Sequence, residues 1–390
     1  MAIRIITVMI FFGLLVSSSY GTTNYNVLKY GARPNGASDS SRAFVEAWGA
    51  ACGSTDSTMM YVPRGRYLVG PMIFKGPCKA PSITIRIDGT LLGSGDYRVL
   101  GNYSNWVSFE GVSGVSILGG SLDAKGSSLW ACKLSQAPNC PSGATSLSFT
   151  NSNNIKIKGL LSLNSQMFHI VFNGCKDVYV ENVKVVADGN SPNTDGIHVQ
   201  LSSNVAIFNS SIKTGDDCIS IGPGTKNLWI EGVKCGPGHG ISIGSLAKDT
   251  EEEGVQNVTV RRTIFTGTTN GFRIKSWARP SNGFVQRVRF IGATMQNVQN
   301  PIIIDQHYCP HNLNCPTEHS GVKISDVVYE EIQGTSATEV AVKFDCSSNN
   351  PCRGIRLHNV NLTYSHEVAR SICSNVLGNT IGIVNPNSCL

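Results

Sequence analysis

Four short polar motifs interrupt an apolar alternation in the middle of the chain: Asn193-Thr194-Asp195, Gly215-Asp216-Asp217, Gly238-His239-Gly240 and Arg273-Ile274-Lys275. The first three stand just before the alternating stretches Ile197/Val199, Ile219/Ile221 and Ile241/Ile243. If these stretches pair as neighbouring strands, equivalent positions lie about 4.8 Å apart. Residues more than twenty positions apart then gather on one surface, which would carry three carboxylates, an imidazole and two cations. Carboxylates stacked this closely repel and raise one another's pKa. A fold gains nothing from that, so the arrangement suggests chemistry. Glycoside hydrolysis needs such a set, with one carboxylic acid to protonate the leaving oxygen and one carboxylate to activate water. Taken singly, each motif has a plainer reading. Asp-Asp after Gly is often an Asx turn, and a His between glycines is commonly a surface residue. Arg-Ile-Lys is a strand with a solvated face, and paired aspartates also suit Ca²⁺. Their appearance together at consecutive repeats favours catalysis.

Parity constrains the geometry, because adjacent residues of a regular strand point to opposite faces. Asp217 shares parity with Ile219 and Ile221, so a straight strand would bury it and turn Asp216 outward. If both act, the chain must bend near Gly215. Arg273 and Lys275 oppose Ile274, so both can face one groove, and two cations on one face suit a substrate that carries carboxylates.

The elements that position these residues are legible as a repeat. From about residue 112 onward a polar residue, often Asn, opens a short alternating stretch: Asn154-Ile155-Lys156-Ile157, Asp177-Val178-Tyr179-Val180, Asn204-Val205-Ala206-Ile207, Asn227-Leu228-Trp229-Ile230 and Asn257-Val258-Thr259-Val260, with looser copies at Arg287, Lys323 and Gly354. Spacings of roughly 23 to 36 residues belong to solenoids. Period-two alternation means half-buried strands, and the repeat leaves no room for a crossover helix. The expected fold is all-β: a right-handed, single-stranded parallel β-helix over residues 22–390, with an N-terminal capping helix at Asp39 to Trp48 whose apolar face is Ala43, Phe44, Ala47, Trp48 and Ala51. A β-sandwich is the alternative.

Composition supports this class. Hydrophobic residues make up 41% and charged residues 15%, which excludes a disordered chain. With 32 Lys+Arg against 26 Asp+Glu the net charge is +6. No basic run forms a nucleic-acid arm, so no nucleic-acid partner is expected. A mildly basic protein instead attracts acidic polysaccharides. Arg4 followed by the apolar stretch Ile5 to Val16 and by Ser19-Tyr20-Gly21 is expected to be a cleaved signal peptide, residues 1–21, and no membrane span is expected. Thirteen cysteines agree with secretion. Proximity suggests six pairs, Cys52/Cys78, Cys132/Cys140, Cys218/Cys235, Cys309/Cys315, Cys346/Cys352 and Cys373/Cys389, leaving Cys175 as a buried thiol. Sequons lie at Asn102, Asn209, Asn257 and Asn361.

Read in order, the motifs Asn193-Thr194-Asp195-Gly196, Gly215-Asp216-Asp217-Cys218, Gly238-His239-Gly240 and Arg273-Ile274-Lys275 resemble those of the polygalacturonases, the pectin-hydrolysing glycoside hydrolases. Pro301 through Cys309, with Gln306-His307-Tyr308, and the segment Tyr25 to Ala32 are similar to plant-type members. The resemblance implies hydrolysis of α-1,4-galacturonosyl bonds of homogalacturonan with inversion, outside the cell in the plant cell wall. It also implies Asp216 as general acid, Asp195 and Asp217 as the carboxylates on the water, and His239 as support for the acid. Arg273 and Lys275 would hold substrate carboxylates, with Asn193 and Tyr308 as further contacts. No metal and no cofactor are expected, and the chain is expected to act as a monomer. Asn35 and Ala124 depart from the family pattern, outside the site. A Ca²⁺-dependent pectate lyase and a non-catalytic pectin-binding protein are the competing readings.

Overall fold

The computed structural model describes residues 22–390; the expected leader at 1–21 lies outside them. The alternating stretches are strands of parallel sheets wound as a right-handed β-helix. A middle coil contributes two strands to a larger sheet and one to a smaller: Lys176–Glu181 and Lys184–Val186, then Ile197–Gln200. The repeat starts match because their inward residues stack in register. Val178, Val205, Leu228, Val258, Val288, Val327 and Ile355 pair in succession, and none is more than 2% exposed. Each such burial contributes about 1.5–3 kcal/mol. Rings form a second stack, with Phe109, Phe149 and Phe172 centred 4.7 and 5.6 Å apart.

The polar residue that opens each copy has a conformational cause. Asn154, Asp177, Asn204, Asn227 and Asn257 all have φ between 52 and 57°, a left-handed conformation that Asn and Asp tolerate best after Gly. Four of them also bond edge to edge: Asn204 donates to Asp177 at 2.9 Å, Asn227 to Asn204 at 3.0 Å and Asn257 to Asn227 at 2.7 Å. Arg287, at φ 55°, keeps the corner after the sequence has drifted. The later coils differ from the expected short strands. Val255–Thr266, Phe284–Val298, Lys323–Ser336 and Cys352–Tyr364 are each one long strand. Their corners survive as single positive-φ residues, Arg262, Gly292, Glu331 and Asn359, without interrupting the ladder.

Helix α1 (Ser41–Gly53) buries Ala43, Phe44, Ala47, Trp48 and Ala51, the face read from the sequence. Asp39 Oδ1 accepts from the Ser41 N–H at 2.8 Å at its start. At the other end the last strand, Val376–Asn385, is largely exposed, with Ile383 71% accessible. The Cys373–Cys389 disulfide ties the tail back. All six expected disulfides are present, and Cys175 is free and buried. No helix among the described residues is long and apolar enough to cross a membrane.

The smaller sheet carries the groove. Its strands relevant here are β1 (Asn105–Glu110), β2 (Thr145–Thr150), β3 (Ile170–Asn173), β4 (Ile197–Gln200), β5 (Ile219–Ile221), β6 (Ile241–Leu246), β7 (Asn270–Ser276) and β8 (Asn300–Asp305). Each pairs with the next in parallel.

Candidate active site

Register brings the motifs together. Ile197 of β4 pairs with Ile219 of β5, which pairs with Ile241 of β6. Asp195, Asp217 and His239 each stand two residues before those isoleucines, so they fall on neighbouring rungs. The Gly196 N–H donates to the Asp217 carbonyl at 2.9 Å and the His239 N–H to the Asp216 carbonyl at 2.7 Å.

The chain bends where parity demanded it. Gly215, Asp216 and Cys218 are bends, and a Cβ on Gly215 would lie 2.2 Å from the Ser191 carbonyl oxygen, so only glycine fits there. Cys218 and Ile219 are both fully buried. Alternation therefore slips between them, and Asp217 turns to the outer surface instead of the core. Asp216 shares that surface, its Oδ1 accepting from the Asp217 N–H at 2.8 Å and bonding His239 Nδ1 at 3.0 Å. Asn193 Nδ2 stands 3.5 Å from the other oxygen, Oδ2. The Asp216 and His239 side chains keep 20% and 39% of their surface open to the groove.

Asp217 is enclosed differently. Its Oδ1 accepts from Ser242 Oγ at 2.7 Å and Arg273 Nη2 at 2.6 Å, and its Oδ2 accepts from Lys275 Nζ at 2.9 Å. Arg273 Nε donates to the same Ser242 oxygen at 2.9 Å. Burial pushes the Asp217 carboxyl up, but Lys275 and Arg273 outweigh it and hold the group well below the usual carboxylate range. Arg273, though buried, is held above its ordinary value by Asp217, Tyr308 and Asp216. The Tyr308 ring lies 5.9 Å from the Arg273 guanidinium carbon and 5.1 Å from Lys275 Nζ. Asp195 goes the other way: burial, then the charges of Asp216 and Asp217, raise it well above the usual range, against the Ser220 hydroxyl and Lys275.

All eight residues singled out from sequence converge on this surface. One expectation is corrected. Stacked carboxylates do not all shift upward, because Asp217 has two cations of its own. Arg273 and Lys275 give Asp217 one hydrogen bond each, which uses only part of a guanidinium's five N–H donors and an ammonium's three. Sequence reasoning missed Ser242, Ser220, His198 and Gln200. His198 Nδ1 bonds Ser220 Oγ at 2.7 Å and its Nε2 bonds Gln200 Oε1 at 3.1 Å, and burial lowers the imidazole to about 4. The signal was available in the register, because His198, Ser220, Ser242 and Arg273 occupy one cross-strand row.

Asp216, Asp217 and His239 each offer a donor atom within 4.8 Å of the others, a spacing that could hold a metal ion. The donor set opposes it. Both Asp217 oxygens accept hydrogen bonds from cations, and a dication would have to sit beside Arg273 and Lys275.

The chain matches the family model for glycosyl hydrolases family 28 over residues 52–389. It is 58% identical over 382 residues to a polygalacturonase of Prunus persica, covering 98% of this chain and 97% of that one. It is 42% identical to an exopolygalacturonase of Platanus acerifolia, over 90% and 94% of the two chains. Among solved structures it superposes on the polygalacturonase from Erwinia carotovora ssp. carotovora with a TM-score of 0.69 and 25% identity, over 92% and 96% of the two chains.

Proposed function

The chain belongs to glycosyl hydrolases family 28 and is a glycoside hydrolase, and from that premise we propose that it hydrolyses the α-1,4-galacturonosyl linkages of pectin by an inverting general acid/base mechanism. The observation that carries the mechanism is the unequal treatment of Asp195 and Asp217 on neighbouring rungs. A carboxylate whose proton affinity is raised by burial is the better base, and one whose oxygens are committed to Arg, Lys and Ser is a poor one. Asp195 therefore takes the proton of the attacking water, while Asp217 orients that water and fixes Arg273 and Lys275. Asp216 is the general acid, donating through Oδ2, the oxygen left to the groove. His239 holds Oδ1, and Asn193 lies beside Oδ2 to steady the leaving oxygen. Arg273 and Lys275 give the groove a positive face beside the Tyr308 ring, and the N–H groups they do not give to Asp217 and Ser242 bind a galacturonate carboxylate.

Residues 22–390 form the working unit, secreted to the cell wall. Six disulfides in one chain support an oxidising destination. The test is Asp216→Asn. The variant is expected to keep the wild-type circular dichroism and melting behaviour and to lose reducing-end release from polygalacturonate by at least about 10²-fold. Near wild-type turnover would overturn the assignment of the acid. Proton NMR of the first product fixes the stereochemistry, with the β-anomer expected.

A further inference from the structure

The groove continues beyond the carboxylates toward the N-terminal coils as a cavity of about 620 Å³ over the outer face of β1 to β4. His198 joins the two parts, since it lines the cavity and bonds Ser220 beside Asp195. The chemistry of the cavity differs from that of the site. Its uncharged lining includes Phe168, Val171, Leu201 and Pro223. The Phe168 ring stacks on His198 with centroids 5.1 Å apart. Its charged lining comes from one loop and is mostly acidic: Lys248 against Asp249, Glu251, Glu252 and Glu253.

That loop is held in place. The Glu252 carboxyl accepts from the N–H groups of Ala247 at 2.7 Å and Lys248 at 3.3 Å, and the Glu252 N–H donates to Asn282 Oδ1 at 2.8 Å. Glu253 pairs with Lys226 at 3.0 Å, and its carbonyl accepts from the Gly224 N–H. Asp249 and Glu251 are exposed. Among the described residues neither has an ion-pair partner, so two carboxylates stand uncompensated except by Lys248. His198, Gln200 and the apolar residues add no positive charge. A free galacturonate placed here would meet like charge in a partly enclosed space, while an uncharged unit would meet an aromatic ring, aliphatic side chains and amides.

Resting on the hydrolase reading above, the geometry points to a subsite for an uncharged sugar unit in this cavity, one whose carboxyl group is esterified or absent. The enzyme thus reads charge along its polymer, with a free carboxylate favoured beside Arg273 and Lys275 and a neutral unit favoured over β1 to β4. The neutral unit could be a methyl-esterified galacturonate or a neutral sugar interspersed in the chain.

The test uses three oligosaccharides of equal length: unesterified oligogalacturonate, the partly methyl-esterified form, and one alternating galacturonate with a neutral sugar. Binding is measured by calorimetry in the Asp216→Asn protein, and turnover in the otherwise wild-type protein. The double variant Asp249→Asn/Glu251→Gln removes the two uncompensated charges and is introduced into both. The expected result is that this variant binds the unesterified oligomer roughly 3- to 10-fold more tightly at low ionic strength, with the gain shrinking in 0.5 M salt. Binding of the best neutral-bearing oligomer should stay unchanged. Whichever neutral-bearing oligomer binds the parent more tightly than the unesterified one identifies the source of the neutral unit. If the parent binds the unesterified oligomer most tightly and the double variant leaves that affinity unchanged, the inference is overturned. Absence of turnover on all three substrates overturns the hydrolase reading alone, because the binding comparison does not depend on cleavage.

Discussion

The rung that ends in Asp195 and the rung that ends in Asp217 are built alike and behave oppositely. Each aspartate stands two residues before a core isoleucine, Ile197 or Ile219, and those isoleucines pair directly. Asp195 is 6% exposed and Asp217 is 1% exposed, so both are removed from water. The difference is the next coil. Asp217 is followed by Ser242 on β6 and by Arg273 and Lys275 on β7, and these take both its oxygens. Asp195 is followed by Asp217 itself, a neighbour of like charge. In a stacked coil, then, the protonation of a carboxylate is set less by its own turn than by what the following turns place above it.

Removing the partners tests this most severely. Asp217→Ala leaves Arg273 and Lys275 buried without a counter-charge, and breaking such a pair costs about 3–5 kcal/mol. The expected outcome is a large fall in the urea midpoint together with loss of activity; unchanged stability would mean that the cluster does not depend on its anion. Asp195→Asn should do the reverse to the fold. The raised proton affinity means that the ionised form is disfavoured in the folded protein, so a neutral isostere should raise the melting temperature at pH 7 while lowering kcat by about 10²–10⁴-fold. That gain should fade as the pH falls and the wild-type Asp195 takes up its own proton.

Smaller effects sharpen the contrast. Ser242→Ala removes a donor to Asp217 and an acceptor for Arg273, and is expected to cost about 1–3 kcal/mol of stability, with kcat falling more than KM rises. The pH profile follows from the sign of each shift. As the base, Asp195 works only when ionised, so the acid limb of kcat/KM should lie above the ordinary carboxylate range of about 4. The lowered Asp217 value contributes stability that is present above the unfolded carboxylate pKa and lost as pH falls through the lower folded value. Its loss should appear as unfolding only in strong acid, well below the acid limb of activity. Coincidence of the two transitions would remove the distinction between the rungs.

Much of this was legible in the sequence for a physical reason. Period-two alternation, the polar residue, often Asn, that opens each copy and the amphipathic segment at α1 are local features, and local features are written in residue type. The disulfides were legible because each closes a short loop. The clustering of the proposed catalytic set was legible because stacking turns a sequence interval into a neighbour relation. The bend at Gly215 was implied by the parity of Asp216 and Asp217. The engagement of Arg273 and Lys275 by Asp217 was hidden, since it links residues 56 and 58 positions apart, across more than one coil. Ser242 and His198 looked like ordinary outward strand positions, and only the cross-strand row revealed them. The fused strands of the later coils run through Arg262 and Glu331, corners that no turn-forming residue type announces.

Because the proposed acid, base and imidazole belong to separate turns, catalysis by them would report on the integrity of the middle of the spiral alone. Fraying that starts at the uncovered last strand could proceed through several turns without silencing the enzyme, whereas a single cut that lets the turns bearing Asp195 and His239 drift apart would abolish it at once. Residual activity measured during slow heating is therefore a local thermometer, and it should outlast the loss of ordered structure at the C-terminal end.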